Sequence, residues 1–379
     1  MKIAVIFGSR TTEHDVSIIS GLEVFSELQK NKKYQPLPVY IRADGTWEIG
    51  GNLADIEAHK QKKAKGKPVS LIFNNNKTLL LQERGFFGKK HAIDLVFPVM
   101  HGLNGEDGTL QGVLEMAQVP YTCSGVLSSA LGMDKVVMKE ILEKYQIPLV
   151  KYEYFIREEW EQDPESILKN LEKNLKFPIF VKPANLGSSI GISKATNLDE
   201  LKKAIEIASY YDDKILCEEG IENLQEINCS VYGTPTENFP SLLEEPLSYQ
   251  EFLTFEEKYI NDGGSMQGVK SKVKIPAPIN NPQTEKKITQ TAQKTFQILH
   301  CFGTARIDFL VNKKNNQFYV NEINMIPGSL QKHLWEKSGL KFADLLKKLI
   351  QIALKRARDL EKNSFSFNSN ILIAGNSKK

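Results

Sequence analysis

Long hydrophobic runs are absent from this chain of 379 residues. Its longest apolar stretches, such as Ile3–Phe7 and Ile371–Ala374, fall far short of the ~18 residues that cross a bilayer, so no membrane span is expected. Cysteine is scarce. Cys123, Cys217, Cys229 and Cys301 are scattered without a C-x-x-C pair, which excludes zinc-ribbon spacing and a disulfide scaffold. They read as small buried side chains of a reducing compartment. No sign of charge dominates: 49 Lys and Arg stand against 46 Asp and Glu, a net of +3, too balanced to argue for nucleic acid or a membrane surface. The opening MKIAVIFGSR passes from five apolar residues straight into Gly-Ser, lacking the longer apolar core of a secretion signal. A cytoplasmic protein of two or three domains is expected. Also missing are G-x-x-x-x-G-K-[ST], G-x-G-x-x-G and H-E-x-x-H, so P-loop, dinucleotide and zincin chemistries have no motif here.

What is present is strand–loop–helix alternation. Residues 2–8 predict a buried strand and 15–30 a helix, with further strands at 34–42 and 92–102. Two of these strands end in Gly-rich loops, where an open α/β sheet binds its ligands. Residues 55–68 read as a lysine-rich surface loop. A helix is expected near 133–146, and a strand at 147–156 enters a second domain. Residues 177–184 and 191–195 form a hairpin around NLGSSI. Asn197 caps a helix over 197–211, with Glu200 placed for a capping box. Strands at 214–219, 226–233, 304–311 and 317–325 suggest antiparallel sheets, so α/β gives way to α+β in the second half. Residues 240–275 read as a long loop, 342–362 as an amphipathic helix and the remainder as a tail.

GSSIG (187–191) fits the G-x-S-x-G nucleophile elbow, which Asp308 and His333 could complete in the right order. An elbow needs a helix directly after its serine; here GISKA is strand-like and the helix waits until Asn197, so a serine hydrolase is disfavoured. The same small residues, with Lys182 nearby, can instead bring backbone N–H groups to a phosphate. Strand period two places Arg306 with Asp308, and Glu322 with Asn324, on single faces. Asp308, Glu322 and Asn324 together would suit Mg²⁺; the alternative is a solvated face of charge pairs. CEEGIENLQE (217–226) offers carboxylates to a ribose and an adenine amino group, or is surface acid at a strand end.

Assembled in order, GSRTTEHDVSIISG (8–21), FPVMHGLNGEDGTLQGVLEMAQVPYTCSG (97–125), SALGMDK (129–135), FVKPANLGSSIG (180–191), FEEKYI (255–260), RIDF (306–309) and EINMIPG (322–328) resemble the D-alanine–D-alanine ligase family of ATP-grasp enzymes. The resemblance covers residues 2 to about 350. It implies an N-terminal open parallel-sheet domain (1–123), followed by a two-lobed ATP-grasp module (124–217 and 218–362) with an ω-loop near 240–275 and a tail at 363–379. It implies ligation of two D-alanines through an acyl phosphate for peptidoglycan precursors, with ATP, two Mg²⁺ ions (Mn²⁺ in their place), and a homodimer.

The resemblance also assigns roles. Lys135, Lys182 and Lys258 meet ATP phosphates; Ser188 and Ser189 lie in the loop covering them. Asp308, Glu322 and Asn324 hold metal. Glu13 takes the first D-alanine's ammonium and His101 positions that substrate. Arg306 and the backbone at Gly328 form the oxyanion pocket. Glu226 takes ribose, Glu218 (or Glu219, one residue on) takes adenine, and Tyr259 closes the site over Glu13 and Ser188. One departure stands out: His333, followed by Leu334, falls where the family places a serine for the second substrate's carboxylate. A related carboxylate–amine ligase with another second substrate is therefore the alternative.

Overall fold

The computed structural model describes residues 1–73, 79–85, 87–246 and 273–364. The first unit is built on Lys2–Gly8, buried throughout after Lys2. Parallel neighbours flank it on both sides, Gln35–Ile41 and Leu95–Pro98, which explains its unbroken apolar run. The helix His14–Gln29 packs on this centre. A Cβ on Gly21 would lie 2.5 Å from Cβ of Phe7, so glycine sets the helix-to-sheet distance. Beyond Gln35–Ile41 the sheet turns antiparallel through Trp47–Ile49, Lys67–Phe73, Leu79–Glu83 and Lys90–Ile93, completing seven strands. The expected parallel sheet is thus the centre of a mixed one. The stretch expected as a surface loop contains a short helix, Ile56–Lys60, and runs into the strand Lys67–Phe73. Residues 92–102 divide at Asp94, whose carboxylate accepts from the Lys2 backbone at 2.7 Å.

The second unit is a four-stranded antiparallel sheet in the order Ser193–Ala195, Ile179–Pro183, Lys214–Glu219, Tyr152–Ile156. One face carries Val181, Ile215 and Cys217 into a core with Leu171, Leu201 and Ile205 of its helices. Period two sends Leu216 and Glu218 to the opposite face, where Leu216 meets Val136. Asn197 caps its helix by accepting from the Glu200 N–H at 2.9 Å. The expected capping box is shifted by one residue, because the Glu200 carboxylate accepts from Thr196 N–H rather than from Asn197.

The third unit has five antiparallel strands in the order Val273–Lys274, Asn238–Pro246, Leu224–Gly233, Gly303–Asn312, Phe318–Asn324. Residues 240–246 and 273–274, expected in a loop, are therefore strand; 247–272 lie outside the described residues. Ala305, Ile307, Phe309 and Val311 face a core closed by the helix Pro282–Ile298, leaving Arg306, Asp308 and Leu310 on the other face. The last helix, Phe342–Leu360, returns to the first unit: Leu345, Leu346, Leu349 and Ile350 share one core with Ile3, Val5 and Leu22. All four cysteines are free and buried. No helix among the described residues is long and apolar enough to cross a membrane.

Candidate active site

Three loops and one sheet face meet where the units join. Glu13 precedes the helix His14–Gln29 and is buried. Its carboxylate is wedged between two glycines: a Cβ on Gly102 would lie 2.6 Å from Oε2, and one on Gly187 2.9 Å. Ser188 donates its hydroxyl to Glu13 Oε1. Ser188 and Ser189 both hold left-handed φ, +54° and +59°, a strain that non-glycine residues keep mainly where the surroundings demand it. Glu13, Glu106, Lys135, Gly187, Glu322 and Asn324 line a small, partly open pocket of about 30 Å³.

Beneath Glu13 lies a layer that fixes it. His101 is buried, and its burial pushes the imidazole down to about 4. The neutral ring donates from Nδ1 to the Ile326 carbonyl at 2.7 Å, so Nε2 accepts the Ser20 hydroxyl at 2.9 Å. Ser20 Oγ in turn accepts the Ser329 N–H at 2.9 Å. Ser329, Leu330 and Gln331 are all left-handed (φ 46°, 49°, 54°), following Gly328, beside which a Cβ would find open space. Glu106 accepts N–H groups from Gly102 (2.9 Å) and Ile326 (2.6 Å). Burial, then the neighbouring Glu13 carboxylate, raise its pKa to about 8.

The third unit's sheet presents a row of polar side chains across four strands. Register aligns Glu244 with Asn228, Asn228 with Asp308, and Asp308 with Glu322, about 14 Å from end to end at ordinary strand spacing. His333 pairs with Glu244 at one end through Nε2. Arg306 grips Asp308 in the middle with two bonds of 2.6 Å, and Asn324 Nδ2 donates to Asp308 Oδ2 at 3.1 Å. Lys135 stands 3.5 Å from Glu322 at the other end and donates to the Leu186 carbonyl at 2.6 Å. Between Asp308–Glu322 and Phe309–Val320 the register slips, so Asn321 is an extra residue in a bulge, a device that re-aims side chains. It accepts from Lys182 at 3.0 Å. Two carboxylates and an amide make an all-oxygen set that fits a hard divalent cation, with the Arg306 guanidinium as the cation Asp308 now faces. No cluster of three His, Cys, Asp or Glu suited to a metal occurs among the described residues.

The structure therefore brings together Glu13, His101, Ser188, Lys135, Lys182, Arg306, Asp308, Glu322, Asn324 and Gly328. Glu226 lies on the same sheet face, opposite Leu310. Glu218 departs from its expected role: both its oxygens already face ammonium groups, of Lys139 and Lys182, so an adenine amino group would compete with two cations. Glu219 instead accepts the Lys176 N–H at 3.1 Å. Lys258 and Tyr259 lie outside the described residues. Leu334 is buried on the short helix Lys332–Lys337, while the His333 side chain is 49% exposed. The hydrolase triad is not assembled, because Ser188, Asp308 and His333 each bond elsewhere. Sequence reasoning missed Ser20, Glu106, Lys139, Glu244 and Asn321. Ser20 and Glu106 sat inside quoted motifs, and Lys139 lies one helical turn after Lys135. Glu244 and the Asn321 bulge depend on strand register and left no local signal.

Comparison with known proteins agrees with this geometry. Residues 2–124 match the family described as D-ala D-ala ligase N-terminus, and residues 141–351 match D-ala D-ala ligase C-terminus. The chain is 42% identical to a D-alanine–D-alanine ligase of Thermosipho melanesiensis over 377 residues, covering 98% of each chain. It is 40% identical to that of Natranaerobius thermophilus, covering 97% of this chain and 98% of the relative. Among solved structures, the D-alanine-D-alanine ligase from Coxiella burnetii superposes with a TM-score of 0.81 at 30% identity over 96% of both chains. The VanG D-Ala:D-Ser ligase of Enterococcus faecalis does so with 0.78 at 33% identity, covering 93% of this chain and 99% of the other. Two family halves in sequence, near-complete coverage and a shared fold place this chain in the D-alanine–D-alanine ligase family.

Proposed function

We propose that the protein joins two D-alanines into D-alanyl-D-alanine at the expense of ATP, for peptidoglycan precursor synthesis. The observation that carries the reading is the meeting of Glu13, Lys135, Gly187 and Glu322, drawn from all three units, around one small pocket, with Ser188 bonded to Glu13 at its edge. Glu13 receives the first D-alanine's ammonium, and the His101–Ser20–Ser329 chain holds the loop beside its carboxylate. That carboxylate is phosphorylated by ATP, whose phosphates meet Lys135, Lys182 and Lys258 under the loop of Ser188 and Ser189. The second D-alanine's amine then attacks the acyl phosphate, the tetrahedral centre collapses, and phosphate leaves. Arg306 and the Gly328 backbone stabilise the oxyanion of that centre. Closure by the loop bearing Tyr259 excludes water from the acyl phosphate. Asp308, Glu322 and Asn324 would hold two Mg²⁺ or Mn²⁺ ions, which would neutralise charge on the transferring phosphoryl group. Glu226 binds ribose, and Glu219, one residue beyond the engaged Glu218, meets adenine. The four free, buried cysteines support a cytoplasmic location, and the family resemblance supports a homodimer, which sedimentation velocity would test.

His333 favours a second reading of the acceptor site. It stands with Leu334 in the proposed second-substrate pocket and pairs with Glu244, and a 33% identical relative is a D-Ala:D-Ser ligase. The experiment is ADP release with Mg²⁺-ATP and D-alanine alone, then with D-serine or D-lactate added, with products separated by mass. D-alanine-dependent ADP release with D-alanyl-D-alanine as product supports the main reading. Release only when a different acceptor is added moves the assignment to the second reading, and no release with any pair overturns both.

A further inference from the structure

Lys139 is a lysine with no exposed surface, its Nζ 2.6 Å from Glu218 Oε1. It projects from the helix Lys135–Lys144, one turn after Lys135, toward the face of the strand Lys214–Glu219 that turns away from the second unit's helical core. On the other side, Glu218 Oε2 meets Lys182, whose ammonium also donates to Asn321 across the junction between units at 3.0 Å. One buried carboxylate is therefore shared by two buried ammoniums, leaving the trio with one net positive charge. Lys139 lies behind Glu218 and beside the Tyr152 ring, 5.7 Å from its centroid, closed off from solvent. A buried ammonium is expensive, and an apolar residue of the same length would ordinarily serve stability as well or better. Its presence calls for an explanation in terms of what it does to Lys182.

We infer that Lys139 is a positioning residue for nucleotide binding: by engaging Glu218 from behind, it leaves the Lys182 ammonium incompletely neutralised and available to a polyphosphate. Without Lys139, Glu218 and Lys182 form a closed one-to-one pair. The local charge falls from +1 to zero, and an incoming phosphate must compete with a carboxylate for its lysine. The inference rests on the assignment of Lys182 to the phosphates made above.

The test measures the affinity of the full-length protein for Mg²⁺-ATP by calorimetry, separately from turnover, in Lys139→Met, Lys139→Gln and Lys139→Arg. Both neutral variants are expected to bind ATP about tenfold more weakly and to raise KM for ATP equally. Their kcat at saturating ATP and KM for D-alanine should stay within twofold, and Lys139→Arg should stay near wild type. A structural role alone would lower the melting temperature while leaving ATP affinity intact, and that outcome overturns the inference. Should the single neutral variants not fold, Lys139→Met combined with Glu218→Gln removes the stranded carboxylate and restores the +1 charge. ATP affinity within threefold of wild type is then expected, and a tenfold loss overturns the inference. Because binding is read apart from ligation, wild-type protein that binds ATP yet forms no dipeptide would refute the ligase reading while leaving this one testable. Wild-type protein that does not bind ATP would refute both.

Discussion

Glu106 holds its proton to about pH 8 because burial and the nearby Glu13 carboxylate outweigh the two N–H groups and Arg306, which favour its ionised form. In the unfolded chain it ionises near 4.5. The folded state therefore binds an extra proton between those values, and the stability this confers is complete below about pH 4.5 and lost as pH rises through 8. Urea unfolding at pH 5 to 8 should show stability falling with pH, by up to about 1.4 kcal/mol per unit from this group. Glu106→Gln should start lower, since an amide oxygen can accept only one of the two N–H groups, but its profile should lack this slope. Parallel profiles for the two proteins would refute the assignment. The motif HGLNGEDG made the residue visible in the sequence. Its protonation state was not legible there, because it depends on Glu13, ninety-three positions earlier, and on the Ile326 amide.

At the scale of elements, the left-handed run Ser329–Gln331 is a conformation that costs L-residues about 1–2 kcal/mol each. Something must hold it, and Ser20 does so from the helix His14–Gln29. Its one hydroxyl serves both His101 Nε2 and the Ser329 N–H. Ser20→Ala leaves a buried acceptor and a donor without partners and should destabilise the fold by about 2 kcal/mol in chemical denaturation. Ser26→Ala on the exposed side of the same helix should change stability by less than about 0.5 kcal/mol. Equal effects at the two sites would show that the tie is not structural. Regular elements were legible where their period was clean, as in Lys2–Gly8 and Leu198–Tyr211. The antiparallel extension of the first sheet was partly hidden, because strands such as Lys67–Phe73 are half exposed and begin among lysines. The left-handed turn and the Asn321 bulge were not legible, since each is dictated by a partner distant in sequence.

For the whole molecule, the last helix decides the domain plan. Leu349 is buried in the first unit's core, and Arg356 ties the helix down through Glu115 (2.7 Å) and the Tyr121 hydroxyl (2.8 Å), its guanidinium 4.7 Å from the Tyr121 ring centroid. Leu349→Ala should cost about 2–5 kcal/mol and lower the melting of tryptophan fluorescence signals from Trp47 in the first unit and from Trp335 together. An unchanged Trp47 signal would mean that the helix contributes nothing to the stability of the first unit. The amphipathic pattern of 342–362 announced a helix with one buried face, but a pattern does not say whose core that face completes.

That return path has a consequence during synthesis. Residues 1–124 leave the ribosome long before residue 342, and at about 5–20 residues per second roughly ten to forty seconds separate them. Throughout that interval the seven-stranded sheet and its helix expose the apolar surface that Leu345, Leu349 and Ile350 will cover. The nascent chain is thus a client for holding chaperones until the helix Phe342–Leu360 has emerged, and truncations that stop before Phe342 should accumulate as aggregates rather than as a soluble N-terminal domain.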